Sequence, residues 1–329
     1  MFPGPAFRTS RKLNSRDRSR HRRWLRLCVG AAVLLLVGFL LYRGISRYEA
    51  DEIVASFYQI PTYRFLAAGA FAAASYACLT GFDFLAIRYV GRSVPYWYVA
   101  MTSFSSLSLG HNIGFAALSS GAIRYRLYAR YGLSASEIAR IIVFCGVTVG
   151  LGLMVLGGTA LCFQPALAAE ITGASRSAAI AIGLTSLASA AIYVVACGSI
   201  RRSFSVLNVT LRLPSLRLAA GQLLIGPLNF ALVAGCLHQA LLGVGDMPYL
   251  GVAAVYVLAN VATLVSHVPG GLGVIEGVVL HFVPGASVIG ALILFRLVYF
   301  LVPLMLGGLM LAISELFTRP RGKDRRRQS

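Results

Sequence analysis

Three ionisable residues stand inside long apolar stretches of the chain: Asp83 in Gly-Phe-Asp-Phe-Leu, Glu276 in Val-Ile-Glu-Gly-Val and Arg296 in Leu-Phe-Arg-Leu-Val. A charge at the centre of a membrane helix costs about 2.5–3.5 kcal/mol on insertion scales, so three left unpaired would cost on the order of 8–10 kcal/mol. That is comparable with the whole stability of a domain. These groups must therefore face one another, a hydrated cavity or a ligand. Guanidinium groups, here Arg296 together with Arg124 and Arg126, match phosphate oxygens in a bidentate grip. Asp83 and Glu276 would balance the arginines or hold a cationic amine. The competing reading is structural, with Asp83–Arg296 or Glu276–Arg124 as buried ion pairs that fix helix packing. Arg124 and Arg126 are two apart, so a regular helix cannot turn both to the same site.

Polar residues recur beside these charges at helical spacing. Tyr76, Thr80 and Asp83 fall at i, i+4 and i+7, and Tyr256, Asn260, Thr263 and His267 at i, i+4, i+7 and i+11. Each set makes one stripe on one helix face. Arg296 and Tyr299 share a face, and Gln222 and Asn229 lie seven apart. Several helices that each offer one polar face suit a hydrated pocket inside a bundle.

Two stretches break the helical pattern. Ser108-Leu109-Gly110-His111-Asn112-Ile113-Gly114 holds two glycines among polar groups, and Ser266-His267-Val268-Pro269-Gly270-Gly271-Leu272-Gly273 holds a proline and three glycines. Proline removes a helix hydrogen bond and glycine favours irregular backbone, which is tolerated at membrane depth only inside protein or along a cavity. Both breaks carry His-x-x-Gly (111–114 and 267–270) followed by Gly-x-Ile-charge (121–124 and 273–276). Broken segments in corresponding halves point to a transport site between repeats. His111, Asn112 and His267 join the candidate site on that basis, although interhelical hydrogen bonding explains the histidines equally well.

The elements that position these residues follow from composition. The chain has 329 residues, 57% hydrophobic and 12% charged, about half the charged share usual in soluble domains. Apolar segments fall at about 24–42, 65–87, 96–121, 135–163, 178–198, 218–242, 249–267 and 287–315, with 268–284 attached to the seventh. The expected fold is an all-α polytopic membrane protein of about eight hydrophobic segments, two of them broken or re-entrant, with an inverted repeat suggested. Of the 30 Lys and Arg residues, nine lie in 1–26 and six in 319–329, so residues 1–23 and 319–329 read as basic cytoplasmic tails, the first disordered. The domain between them is 24–318. If 96–121 dips in and returns, the arginines at 124–140 and at 201–217 join the tails on the inner side, and both termini are cytoplasmic.

The net charge of +19 belongs to these membrane flanks, and no nucleic-acid reading head accompanies it. Six cysteines, all in apolar stretches and without Cys-x-x-Cys spacing, read as packing residues. Arg22-Arg23 ahead of an apolar run looks like an export signal, but no small-residue cleavage site follows, which favours an uncleaved first span. There is no P-loop, no nucleophile–base pair and no metal-ligand cluster, so no cofactor, metal or covalent reaction is expected.

Residues 110–128 (Gly-His-Asn-Ile-Gly-Phe-Ala-Ala-Leu-Ser-Ser-Gly-Ala-Ile-Arg-Tyr-Arg-Leu-Tyr) and 132–145 resemble the membrane part of bacterial lysylphosphatidylglycerol synthase/flippase proteins. Thr80-Gly81-Phe82-Asp83, Val268–Glu276 and Phe295-Arg296-Leu297-Val298-Tyr299 match the same family in the same order, over roughly residues 25–318. The resemblance implies an inner-membrane flippase that moves an (aminoacyl-)phosphatidylglycerol-type lipid between leaflets. Full-length members add a soluble synthase domain, which this sequence lacks, so no enzyme activity is expected. The implied site is Asp83, His111, Asn112, Arg124, Arg126, Asn260, His267, Glu276, Arg296 and Tyr299. Its partners would be a phospholipid and the bilayer, with a homo-oligomer left open. The alternative is a non-transporting scaffold or accessory subunit.

Overall fold

A computed structural model describes residues 60–113, 116–173, 175–199, 203–206, 209–242, 247–283 and 287–317, with single positions of the first apolar segment. The expected tails 1–23 and 319–329, and most of segment 24–42, lie outside the described residues. The helices are α1 (Thr62–Tyr89), α2 (Tyr96–Ile113), α3 (Ala116–Arg130), α4 (Ala135–Phe163), α5 (Pro165–Thr172), α6 (Arg176–Ser199), α7 (Leu216–Leu241), α8 (Tyr249–Ser266), α9 (Val274–Phe282), α10 (Ser287–Arg296) and α11 (Val302–Phe317). A π-helical turn, Leu297–Leu301, joins α10 to α11, and the joined helix is one of six in the described chain long and apolar enough to cross a bilayer. The fold is thus a helical polytopic membrane protein. Its departures from the expected pattern are the short helix α5 and a two-stranded antiparallel ribbon, β1 (Ser203–Val206) with β2 (Val209–Arg212).

The spine is the antiparallel pair α1 and α7. Gly221 faces Leu85 and Gly235 faces Phe71, each so closely that a Cβ would come within 2.9 Å of the partner side chain. The C-terminal ends of α1 and α7 therefore lie on opposite faces of the molecule. Helix α4 crosses α7 where Gly152 meets Gly226, and it meets α6 where Gly158 meets Gly183, all without room for side chains. Small residues at crossings let backbones approach where lipid supplies no hydrophobic drive. Gly157 is a further contact glycine, where a Cβ would lie 3.0 Å from Val257 Cγ1, whereas Gly150 faces open space.

Segment 96–121 is a helical hairpin. Helix α2 leaves the end of α1, the chain reverses between Ile113 and Ala116, and α3 returns, so Tyr98 Oη donates to the Leu127 carbonyl at 2.7 Å. The break falls later than expected: helix continues through Ser108 and Gly110. Gly110 is a contact glycine, since a Cβ there would lie 2.8 Å from Ser120 Cβ on the return limb. A second hairpin follows α7. Helix α8 ends at His267 in the left-handed region (φ 54°), a 3-10 turn spans Pro269–Gly271, and α9 starts after Gly273 (φ 83°). Because each hairpin starts at the end of one spine helix, the two enter from opposite faces.

Candidate functional site where the hairpin tips meet

The two tips converge on Arg296, the last residue before the π-helical turn. A Cβ at Gly270 would sit 3.9 Å from Asn112 Cα and 3.7 Å from Arg296 Nη1, so the second tip touches both the first tip and the arginine. Arg296 Nε and Nη2 donate to the Glu276 carboxylate, the Nη2 bond measuring 2.8 Å, while Nη1 and Nη2 donate to the carbonyls of Gly270 and Gly271. Four of its five guanidinium protons are thereby placed. Its Cζ also lies 5.1 Å from the Phe300 ring centre. Glu276 sits in the first turn of α9 and accepts from the Gly273 N–H at 2.9 Å, which fixes the carboxylate at the helix start.

Local sequence explains why the final helix widens here. Pro303 has no N–H to offer the Tyr299 carbonyl four residues earlier. That carbonyl accepts from Tyr76 Oη at 3.2 Å, and the next one, at Phe300, accepts from Asn112 Nδ2 at 3.4 Å. Ser75 Oγ lies 3.2 Å from Tyr299 Oη and donates to Asn229 Oδ1 at 2.7 Å. Tyr76, Asn112, Asn229 and Tyr299 are thus drawn together around a turn whose backbone the proline leaves unpaired.

The other expected site residues are arranged differently. Arg124 grips Asp83 with Nε and Nη2 at 2.9 and 2.8 Å, and Tyr128 Oη donates to the same carboxylate at 3.0 Å. This pair is sealed, with side-chain exposures of 3% and 0%. The charges therefore pair in the opposite sense to Asp83–Arg296 and Glu276–Arg124: the first hairpin carries Arg124 to Asp83 on α1, and the second carries Glu276 to Arg296 on α10. Arg126 turns away from Arg124, as the spacing requires, and with Arg130 it grips Glu315 on α11 at 2.7 and 2.5 Å. His267 is exposed and caps its own helix, Nδ1 lying 2.9 Å from the Val265 carbonyl. The stripe from Tyr256 to His267 accordingly runs from core to surface. Within it Asn260 Nδ2 donates to Tyr256 Oη at 3.2 Å. His111 is half-buried in the last turn of α2.

Glu315 is a functional candidate that sequence reasoning missed. It is fully buried on the last apolar helix, and the signal for it was Arg126 and Arg130, four apart on one helix face. At the arginine-rich face, outside the spans, Arg92 Nε and Nη2 donate to Glu137 at 2.6 and 3.2 Å, which raises the guanidinium pKa further above its ordinary value.

The sequence of uncharacterized protein slr0712 of Synechocystis is 32% identical to this chain over 306 residues, covering 92% of this chain and 94% of the relative. The chain belongs to that protein's family. Inner membrane protein YbhN of Escherichia coli is similar as well, 27% identical over 292 residues, 87% of this chain and 89% of its own length. No family model matches the chain. Both relatives are covered along nearly their whole length, so the two hairpins and the helices between them all lie within the shared extent.

Proposed function

We propose that the protein moves a phospholipid between the leaflets of the bacterial inner membrane, as its resemblance to the lysylphosphatidylglycerol flippase domain implies. The observation that carries this reading is the convergence of two opposed hairpin tips on Arg296. A phosphodiester reaching the tips meets a planar guanidinium that matches its oxygens. Glu276 keeps 16% of its side chain exposed against 4% for Arg296, so the pair is approachable from the carboxylate side. Glu276 would yield the arginine to phosphate, or hold a headgroup amine if the cargo carries one. The acyl tails would stay in lipid, so translocation needs no covalent step and the protein acts as a transporter rather than an enzyme. The similarity to inner membrane protein YbhN of Escherichia coli supports an inner-membrane location. Arginines 88, 92, 140, 212 and 217 all cluster on one face, which supports a cytoplasmic position for that face and for the C-terminus leaving it.

The test is reconstitution into liposomes with a leaflet-specific headgroup assay across several phospholipids. R296A and E276Q should each slow translocation by about ten- to a hundredfold, as loss of a charge-assisted contact of roughly 1.5–3 kcal/mol gives. Wild-type rates in both variants, at normal expression, would reject the reading. A second reading, a scaffold whose ion pairs only lock packing, draws on the sealing of Asp83–Arg124. Under it the same substitutions would lower the melting temperature and leave lipid distribution unchanged.

A further inference from the structure

Among the described residues, three buried side-chain hydroxyls have no hydrogen-bonding partner: Thr102, Ser105 and Ser106. All three are fully buried and lie within about one turn of α2, the limb that leads from the arginine-rich face to Asn112 and Arg296. An unsatisfied buried hydroxyl costs about 1–3 kcal/mol, and α2 carries three in one turn. Neighbouring hydroxyls on the same helix have partners: Ser103 donates to the Leu79 carbonyl of α1 at 2.9 Å and Ser108 to the backbone carbonyl of Ser105 at 3.4 Å. The orphans share their part of α2 with Leu109, which packs with Leu127, Leu304 and Leu311 in a small cluster apart from the main core. These residues lie at the seam between α2, α3 and α11. Opposite Ser105 and Ser108, α11 presents Gly307, where a Cβ would clash.

Two further features flank the seam. Above it lies the π-helical turn at 297–301, an irregularity that lets a helix bend. Below it, Glu315 holds α11 to α3 through Arg126 and Arg130. We propose that α11 is a side door. Swinging about the π-helical turn once Glu315 lets go, it opens a water-filled path along Thr102, Ser105 and Ser106 from the arginine-rich face to Arg296, and a lipid headgroup travels that path. The proposal rests on the translocation reading for its passenger but not for the path. Its ligands are water and the phosphate or hydroxyl groups of a headgroup, which both accept from and donate to serine hydroxyls. In the closed arrangement described here the hydroxyls are unpaired because their partners enter only when the door opens.

The test uses the full chain in liposomes, with its native cysteines replaced and single cysteines at 102, 105 or 106 (T102C, S105C, S106C). A membrane-impermeant charged thiol reagent should modify these positions, and E315Q should speed the reaction about tenfold, as weakening one charge-assisted contact would. Tyr125→Cys, on the exposed side of α3, is the reactive control, and a protein that retains Cys145 as its single cysteine is the protected one. Failure of all three positions to react, with and without E315Q, would overturn the path. The triple variant T102V/S105A/S106A, which removes the orphans, should raise the melting temperature yet slow headgroup translocation at least about tenfold. Labelled cysteines combined with unchanged translocation in that variant would overturn the headgroup route. If the unaltered protein moves no lipid, the labelling still decides whether the path exists, so the two proposals fail separately.

Discussion

At the scale of single residues, the two ion pairs at the hairpins do different work. Asp83 and Arg124 satisfy each other and exclude solvent, so removing one partner leaves an uncompensated charge at depth. D83A should cost about 3–5 kcal/mol, read as a fall in melting temperature in detergent, and the double variant D83A/R124A should recover part of it. If D83A melts like the wild type, the pair contributes nothing to the fold. Glu276 and Arg296 are linked as tightly, but the carboxylate keeps an exposed edge and the arginine also holds two tip carbonyls. The types and depth of these charges were legible in the sequence, because an ionised group in an apolar run is costly whatever surrounds it. Their partners were not: which carboxylate meets which arginine depends on the rotation of helices far apart in sequence. Thr102, Ser105 and Ser106 escaped notice for a related reason, since serine in a membrane helix ordinarily bonds its own backbone.

At the scale of elements, apolar length gave seven of the eight expected segments their places within the described chain, and crossing arithmetic with the arginines pointed to the dip at 96–121. The precise turn was harder to read. Gly110 looked like a breaker but serves as a contact point, and only the packed hairpin distinguishes the two uses. The π-helical turn likewise follows from Pro303 once the Tyr299 carbonyl is seen bonded to Tyr76. Packing glycines allow a direct check. A Cβ at Gly226 would stand 2.6 Å from the Thr148 carbonyl oxygen, whereas nothing lies within 4 Å of one at Gly150. Gly226→Ala should therefore destabilise by about 1–3 kcal/mol, and Gly150→Ala should be neutral or stabilise by up to about 1 kcal/mol. Equal melting temperatures for the two variants would contradict the α4–α7 crossing.

For the whole molecule, the order of crossings assigns the described loops to faces. Ser93, in the turn between α1 and α2, and Arg217, at the start of α7, lie on the arginine-rich face, and Ser175, between α5 and α6, lies on the other. Single cysteines at 93 and 217 should be modified by an impermeant maleimide only from the cytoplasmic side, in inverted vesicles, and one at 175 only in intact cells. A cysteine at 217 that reacts from the opposite side to one at 93 would mean that the α2–α3 segment crosses fully. If the proposed path carries water up to the hairpin tips, the insulating layer between the aqueous phases would be thinnest around Arg296. The membrane voltage would then fall mostly across that short stretch instead of the full hydrocarbon thickness of about 30 Å. A charged group stepping past Arg296 would feel nearly the entire potential, about 2.3 kcal/mol per elementary charge at 100 mV, so the cell's own polarisation would set which way an ionic headgroup prefers to go.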